Sequence, residues 1–171
     1  MSFLPNAITL MNLVFGAISL ICTFNNQFHQ AAIMILLAVV MDSMDGKVAR
    51  RLNAAGDFGK ELDSLCDLVS FGAAPALLFI ADSVGSINGN TNLVHLGMVI
   101  GVAYILCGAY RLARFNVLNI HEYFVGMPIT FAGFIVALLY LSVPGLSVLV
   151  MMLIMALLAF FMVSRINVPK L

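Results

Sequence analysis

Charge is scarce in this sequence. Lysine, arginine, aspartate and glutamate together make up 9% of 171 residues, whereas a soluble domain carries about a quarter. With 63% hydrophobic residues and a mean hydropathy of +1.09, this excludes an ordinary soluble fold and makes bilayer the solvent. Cysteine is scarce too. Cys22, Cys66 and Cys107 each lie in an apolar stretch, without Cys-x-x-Cys or zinc-ligand spacing, and read as small core residues. The composition also argues against a nucleic-acid partner. The first apolar run lacks a basic n-region and a small-residue cleavage site, so it reads as a membrane helix rather than a removable signal. No linker or composition shift divides the chain, and residues 1–171 read as one transmembrane domain.

What the chain does have is long apolar runs. About 20 apolar residues in a helix cross the hydrocarbon, and six segments qualify: 6–24, 30–52, 58–81, 93–115, 126–142 and 146–164. The expected fold is therefore an all-α membrane protein of six transmembrane helices. Lys47, Arg50, Arg51, Lys60, Arg111, Arg114, Arg165 and Lys170 all fall at helix ends on one side of that arrangement. Cytoplasmic ends retain positive charge, so both termini are expected in the cytoplasm of a multi-pass cell-membrane protein. Of the eight acidic residues, Asp82 alone falls on the other side. The chemistry is expected at the cytoplasmic face.

The second helix closes with Asp42-Ser43-Met44-Asp45-Gly46 and the third opens with Asp63-Ser64-Leu65-Cys66-Asp67. Asp42 and Asp45 are i, i+3 and Asp63 and Asp67 are i, i+4, so each pair shares a helix face. A short turn makes the two helices antiparallel, and four carboxylates converge. Gathering like charges in or near a membrane is prohibitive unless cations neutralise them. All-oxygen ligation favours Mg²⁺ or Mn²⁺ over zinc, and four carboxylates suffice for two ions clamping the phosphates of a nucleotide substrate. Gly46, Ala49, Gly56 and Gly59 leave room for a bulky ligand to approach the backbone, and the forked guanidinium of Arg50 suits a diphosphate.

Asp42-x2-Asp45-Gly46-x2-Ala49-Arg50-x8-Gly59-x3-Asp63-x3-Asp67 resembles, at all eight defined positions, the signature of the CDP-alcohol phosphotransferase family. The resemblance implies a six-helix homodimer with two divalent ions on Asp42, Asp45, Asp63 and Asp67. It implies that CDP is held between the first three helices, with Asn6, Thr9, Gly46, Ala49, Arg50, Gly56 and Gly59 as contacts. It also implies that Asp67 is the base that deprotonates the acceptor hydroxyl, a role open to a carboxylate facing the substrate. Position 56 departs from the pattern, being glycine where relatives often carry serine or threonine.

Three further stretches, Asp67 to Pro75, Arg111 to Asn116 and Phe124 to Ile129, are similar to the phosphatidylserine synthase branch of that family. The implied reaction takes CDP-diacylglycerol, or CDP-archaeol in an archaeon, and L-serine to the serine lipid and CMP. A zwitterionic acceptor needs a cation for its carboxylate. Arg111 and Arg114 are i, i+3 neighbours able to reach one site, with Asn116 or Glu122 near enough in sequence to receive the ammonium. Glycerol 3-phosphate or inositol phosphate would also call for arginines, and topology-setting charge is the plainer alternative for both residues.

Other features have plainer readings. Arg165 and Lys170 set topology, while His29, His95 and His121 are solvated or interfacial. Met151, Met152, Met155, Phe160 and Phe161 face lipid or pack. Gly97, Gly101 and Gly108 permit a close helix contact, within the chain or with a second copy. A divalent-cation transporter is the rival from another class. It would place carboxylates near the bilayer midplane on discontinuous helices, not at one interface.

Overall fold

The computed structural model of the chain describes residues 3–52, 56–87, 91–118, 124–164 and 167–168. Helices α1 (Phe3–Phe24) and α2 (Phe28–Leu52) are joined by a tight turn in which Asn26 takes a φ of 57°. Gln27 N–H donates to Cys22 O at 2.8 Å and Asn26 N–H to Thr23 O at 3.0 Å, which satisfies the last carbonyls of α1. Asparagine suits the left-handed position because its short polar side chain tolerates it. The reversal lays α1 against α2 along their length.

The third rod is α3 (Asp57–Asp67), a π-helical segment over Leu68–Ala73 and α4 (Ala74–Ser86). Pro75 accounts for the interruption. It has no N–H to give the Phe71 carbonyl, and its ring would collide with that carbonyl in a regular α-helix. The chain widens by one residue, so that Ala74 N–H reaches Val69 O, and the Tyr104 hydroxyl donates to Phe71 O at 3.1 Å. The widened segment sits at the centre of the bundle. A Cβ on Gly16 would lie 2.9 Å from Ser70 Cα, and one on Gly133 would lie 3.1 Å from Phe71 Cα, so α1 and α6 (Ile129–Ser142) approach it at backbone distance.

Helices α5 (Thr91–Leu118) and α7 (Val148–Val163) complete the bundle. The glycines of α5 face inward within the chain: a Cβ at Gly101 would meet Ile80 Cδ1 at 2.6 Å, one at Gly108 would meet Ile129 Cδ1 at 2.6 Å, and one at Gly97 would meet Met152 Cε at 3.0 Å. Met151, Met152, Met155 and Met162 are buried on one face of α7, and Phe160 and Phe161 are exposed on its other side. The methionines are therefore packing residues. Cys66 is buried, and Cys22 and Cys107 are half-buried.

The six apolar runs thus become six helical rods, with three differences from expectation. The fifth begins at Ile129, not 126, because Pro128 caps it and Gly126, at φ 81°, lies against Met162 O. The chain is not wholly α-helical, since β1 (Phe124–Val125) pairs antiparallel with β2 (Asn167–Val168). Finally, helical stretches Asn6–Phe24, Asp57–Ser86 and Thr91–Val117 are long and apolar enough to cross a bilayer, whereas Phe28–Met44, Ile129–Ser142 and Val148–Val163 are apolar but shorter.

Candidate active site

Asp42 of α2 and Asp63 and Asp67 of α3 come together, with one carboxylate oxygen from each lying within 4.8 Å of the others. The four-residue spacing of Asp63 and Asp67 sets them on one face of α3, and α2, which like α3 packs against α1, supplies the third group. Asp67 is buried at 7% exposure, and Asp42 and Asp63 are half-buried. At 4.8 Å and an effective dielectric of about 20, each pair of ionised carboxylates repels by about 3 kcal/mol. Hard, all-oxygen donors at this density could hold a divalent cation. Asp45 follows Asp42 by one turn of α2, but its side chain, with those of Ala49 and Arg50, lies outside the described residues.

Helix α1 supplies the floor. Asn12 is fully buried, and its Nδ2 donates to Asp67 Oδ1 at 3.2 Å, fixing one carboxylate oxygen. Ser70 Oγ in turn donates to Asn12 O at 3.1 Å, which ties this part of α1 to the π-helical segment. Asn12 escaped the sequence reading, although its signal was present: Asn6, Thr9 and Asn12 recur every three residues along an otherwise apolar helix, and polar groups in membrane helices are costly unless they serve a site. Thr9 is buried on this face, and Asn6 Oδ1 lies 3.5 Å from where a Cβ on Gly59 would stand. Among the described residues, a Cβ on Gly46 or Gly56 would meet nothing within 4 Å.

The three α5 residues expected to act together are separated in what they touch. Arg111 lies on the carboxylate side and interacts electrostatically with Asp67. Its guanidinium stacks 5.8 Å from the Phe115 ring centre, and its Nε is buried with no hydrogen-bond acceptor among the described residues. Arg114 Nη1 donates to Val163 O at 3.4 Å, capping the end of α7. Asn116 bridges to α3, its Nδ2 donating to Ser64 Oγ at 3.0 Å and to Glu61 Oε1 at 3.4 Å. These contacts collect the ends of α2, α5 and α7 and the start of α3 at one end of the bundle. A cavity of about 490 Å³ lies at the opposite end beside Asp82 and includes none of these residues, so it is separate from the carboxylate site.

Comparison with known proteins agrees with the geometry. The chain is 35% identical over 140 residues to the CDP-diacylglycerol–serine O-phosphatidyltransferase of Bacillus subtilis, covering 81% of this chain and 76% of that protein. It is 36% identical over 171 residues to the archaetidylserine synthase of Methanothermobacter thermautotrophicus, covering 98% and 70%. A third relative, the CDP-diacylglycerol–serine O-phosphatidyltransferase of Methanocaldococcus jannaschii, is 35% identical over 163 residues, covering 95% and 72%. The profile described as CDP-alcohol phosphatidyltransferase matches residues 2–163. The chain, with aspartates gathered from α2 and α3, belongs to the CDP-alcohol phosphatidyltransferase family.

Proposed function

We propose that this chain transfers the phosphatidyl group of CDP-diacylglycerol, or the corresponding group of CDP-archaeol, to L-serine and releases CMP. The observation that carries this reading is the convergence of Asp42, Asp63 and Asp67 in a chain 35–36% identical to relatives named for serine transfer. In this reading Asp42, Asp45, Asp63 and Asp67 hold two Mg²⁺ or Mn²⁺ ions, which when bound neutralise the pyrophosphate and the departing CMP. Asn6, Thr9, Gly46, Ala49, Arg50, Gly56 and Gly59 surround the CDP moiety. The open space that the described residues leave beside Gly46 and Gly56 supports that placement.

Asp67 takes the proton of the serine hydroxyl as its oxygen bonds to the lipid-linked phosphorus, and the anhydride bond to CMP breaks. Asn12 holds the Asp67 carboxylate in place by donating to Oδ1. Arg111 receives the serine carboxylate, supported by its buried Nε and its position beside Asp67. Arg114 and Asn116 are less favoured as direct contacts, because both are engaged with α7 and α3.

The six rods cross the cell membrane as one domain spanning residues 1–171, with both termini and the site at the cytoplasmic face, and the protein works as a homodimer. Collection of the described arginines and clustered aspartates at one end of the bundle supports the orientation.

Purified enzyme given CDP-diacylglycerol, Mn²⁺ and separately serine, glycerol 3-phosphate or inositol phosphate tests the acceptor. Phosphatidylserine is the expected lipid product. Transfer to a phosphorylated acceptor with serine inert would overturn the assignment, and no metal-dependent CMP release with any acceptor would overturn the reaction class.

A further inference from the structure

At the end of the bundle remote from the three aspartates, Asp82 stands about 20 Å from Asp67 along the third rod, at 1.5 Å per residue. Its carboxylate is held by two hydroxyls from different directions. Tyr140 Oη donates to Oδ2 at 3.0 Å and Ser86 Oγ donates to Oδ1 at 3.2 Å. Asp82 lines the cavity of about 490 Å³ between the ends of α2, α4, α6 and α7, whose wall includes neither lysine nor arginine among the described residues. The rest of that wall combines apolar residues, including Phe28, Leu139, Leu146 and Met151, with the polar His29, Ser86, Tyr140 and Ser147. The phosphatidyl-transfer reaction uses none of these groups.

The arrangement restricts what can bind. An anion would face a carboxylate with no positive partner in the wall. A divalent metal would find a single carboxylate whose oxygens already accept from two hydroxyls, too few free donors for a hard cation. An organic ammonium suits it, since one charge-assisted hydrogen bond to each oxygen leaves lone pairs to spare and aromatic faces favour a cation nearby. The volume is that of a pocket for a molecule with an apolar body, and the helices around it stand in lipid.

We propose that this cavity binds the ammonium head of a membrane amphiphile, with its alkyl portion against Leu139, Leu146 and Met151. The occupant comes from the bilayer rather than from solution, because the helices that frame the cavity are apolar along their length and Leu139, Leu146 and Met151 give its alkyl portion a surface beside the carboxylate.

Photolabelling of the full-length protein in phosphatidylcholine-free, phosphatidylglycerol nanodiscs tests this, using dodecylammonium that carries a diazirine in its chain. The label is expected on peptides spanning 139–151. Unlabelled dodecylammonium and phosphatidylethanolamine should compete, while dodecanol and free ethanolamine should not. Asp82→Asn should cut labelling at least tenfold with serine-lipid synthesis retained. Val143→Trp, which narrows the cavity without touching the carboxylate, should cut labelling independently. Equal competition by dodecanol, or undiminished labelling in both variants, would overturn the site. Competition by ethanolamine as strong as by the lipid would overturn the membrane origin of the ligand.

Discussion

The carboxylates of Asp42, Asp63 and Asp67 meet because residues four apart on α3 share a face and α1, packed against both α2 and α3, brings Asp42 to them. Asp42→Asn, Asp45→Asn or Asp63→Asn should each abolish CMP release, since each removes a charged donor from a shared site, while the helices still insert by hydropathy. Full turnover of any of the three at saturating Mn²⁺ would argue against the ligand set. The arginines divide more sharply than their sequence spacing suggests. Arg111→Gln should raise the serine KM about ten- to a hundredfold, the equivalent of roughly 1.5–3 kcal/mol for a buried charge-assisted bond, with the CDP-lipid KM little changed. Arg114→Gln should instead loosen the end of α7 and leave the serine KM near its original value. Steady-state kinetics on both variants decides the matter, and an Arg114→Gln KM raised as far as that of Arg111→Gln would restore the pair as a joint carboxylate clamp. The aspartates were legible in the sequence because helical periodicity places them without knowledge of the rest of the fold. Asn12 was legible only as a recurring polar position; its bond to Asp67 was not, because that depends on how α1 lies against α3, and periodicity alone does not set the rotation of one apolar helix against another.

Hydropathy reveals the helices as elements, since each apolar run must hide its own backbone groups in hydrocarbon, and the observed rods begin and end within a few residues of those runs. The π-helical segment over Leu68–Ala73 was invisible at that level. Pro75 announces a disturbance, but the form it takes depends on Tyr104, 33 residues from Phe71, whose hydroxyl serves the released carbonyl. Tyr104→Phe leaves that carbonyl buried without its side-chain partner. A bond of this kind is worth about 1–3 kcal/mol in soluble proteins, while membrane bonds measured by double-mutant cycles average about 0.6 kcal/mol. The loss should therefore be close to 1 kcal/mol. Gly16→Ala should cost more, because its Cβ would stand 2.9 Å from the Ser70 backbone, which cannot move aside as a flexible side-chain tip would; overpacking of this kind costs about 1–3 kcal/mol. Unfolding of the two variants by a denaturing detergent in mixed micelles should rank them in that order, and a Gly16→Ala protein as stable as the parent would show that α1 and the π-helical segment do not pack as described.

At the scale of the whole molecule, the weakest members of a six-crossing bundle are α6 and α7. With 14 and 16 residues they extend only about 21 and 24 Å at 1.5 Å per residue, against a hydrocarbon core of about 30 Å. They cross only if the bilayer thins around them or if the residues flanking them, 126–128 and 143–147, complete the passage. Charge favours the crossing, because Arg114 at the end of α5 caps the end of α7, placing that end beside the carboxylates, while Tyr140 near the end of α6 holds Asp82 at the other end. Single cysteines in a background lacking Cys22, Cys66 and Cys107 test this turn by turn with a membrane-impermeant maleimide on intact cells. Asn25→Cys, Asn92→Cys and Val143→Cys, all at exposed positions, should react from outside, and Asp57→Cys, also exposed, should react only after the membrane is opened. Labelling at 25 and 92 but not at 143 would mean that α6 and α7 form a hairpin that does not reach the far side. The cavity beside Asp82 would then lie inside the bilayer, while the carboxylate site, built from α1, α2, α3 and α5, would keep its place.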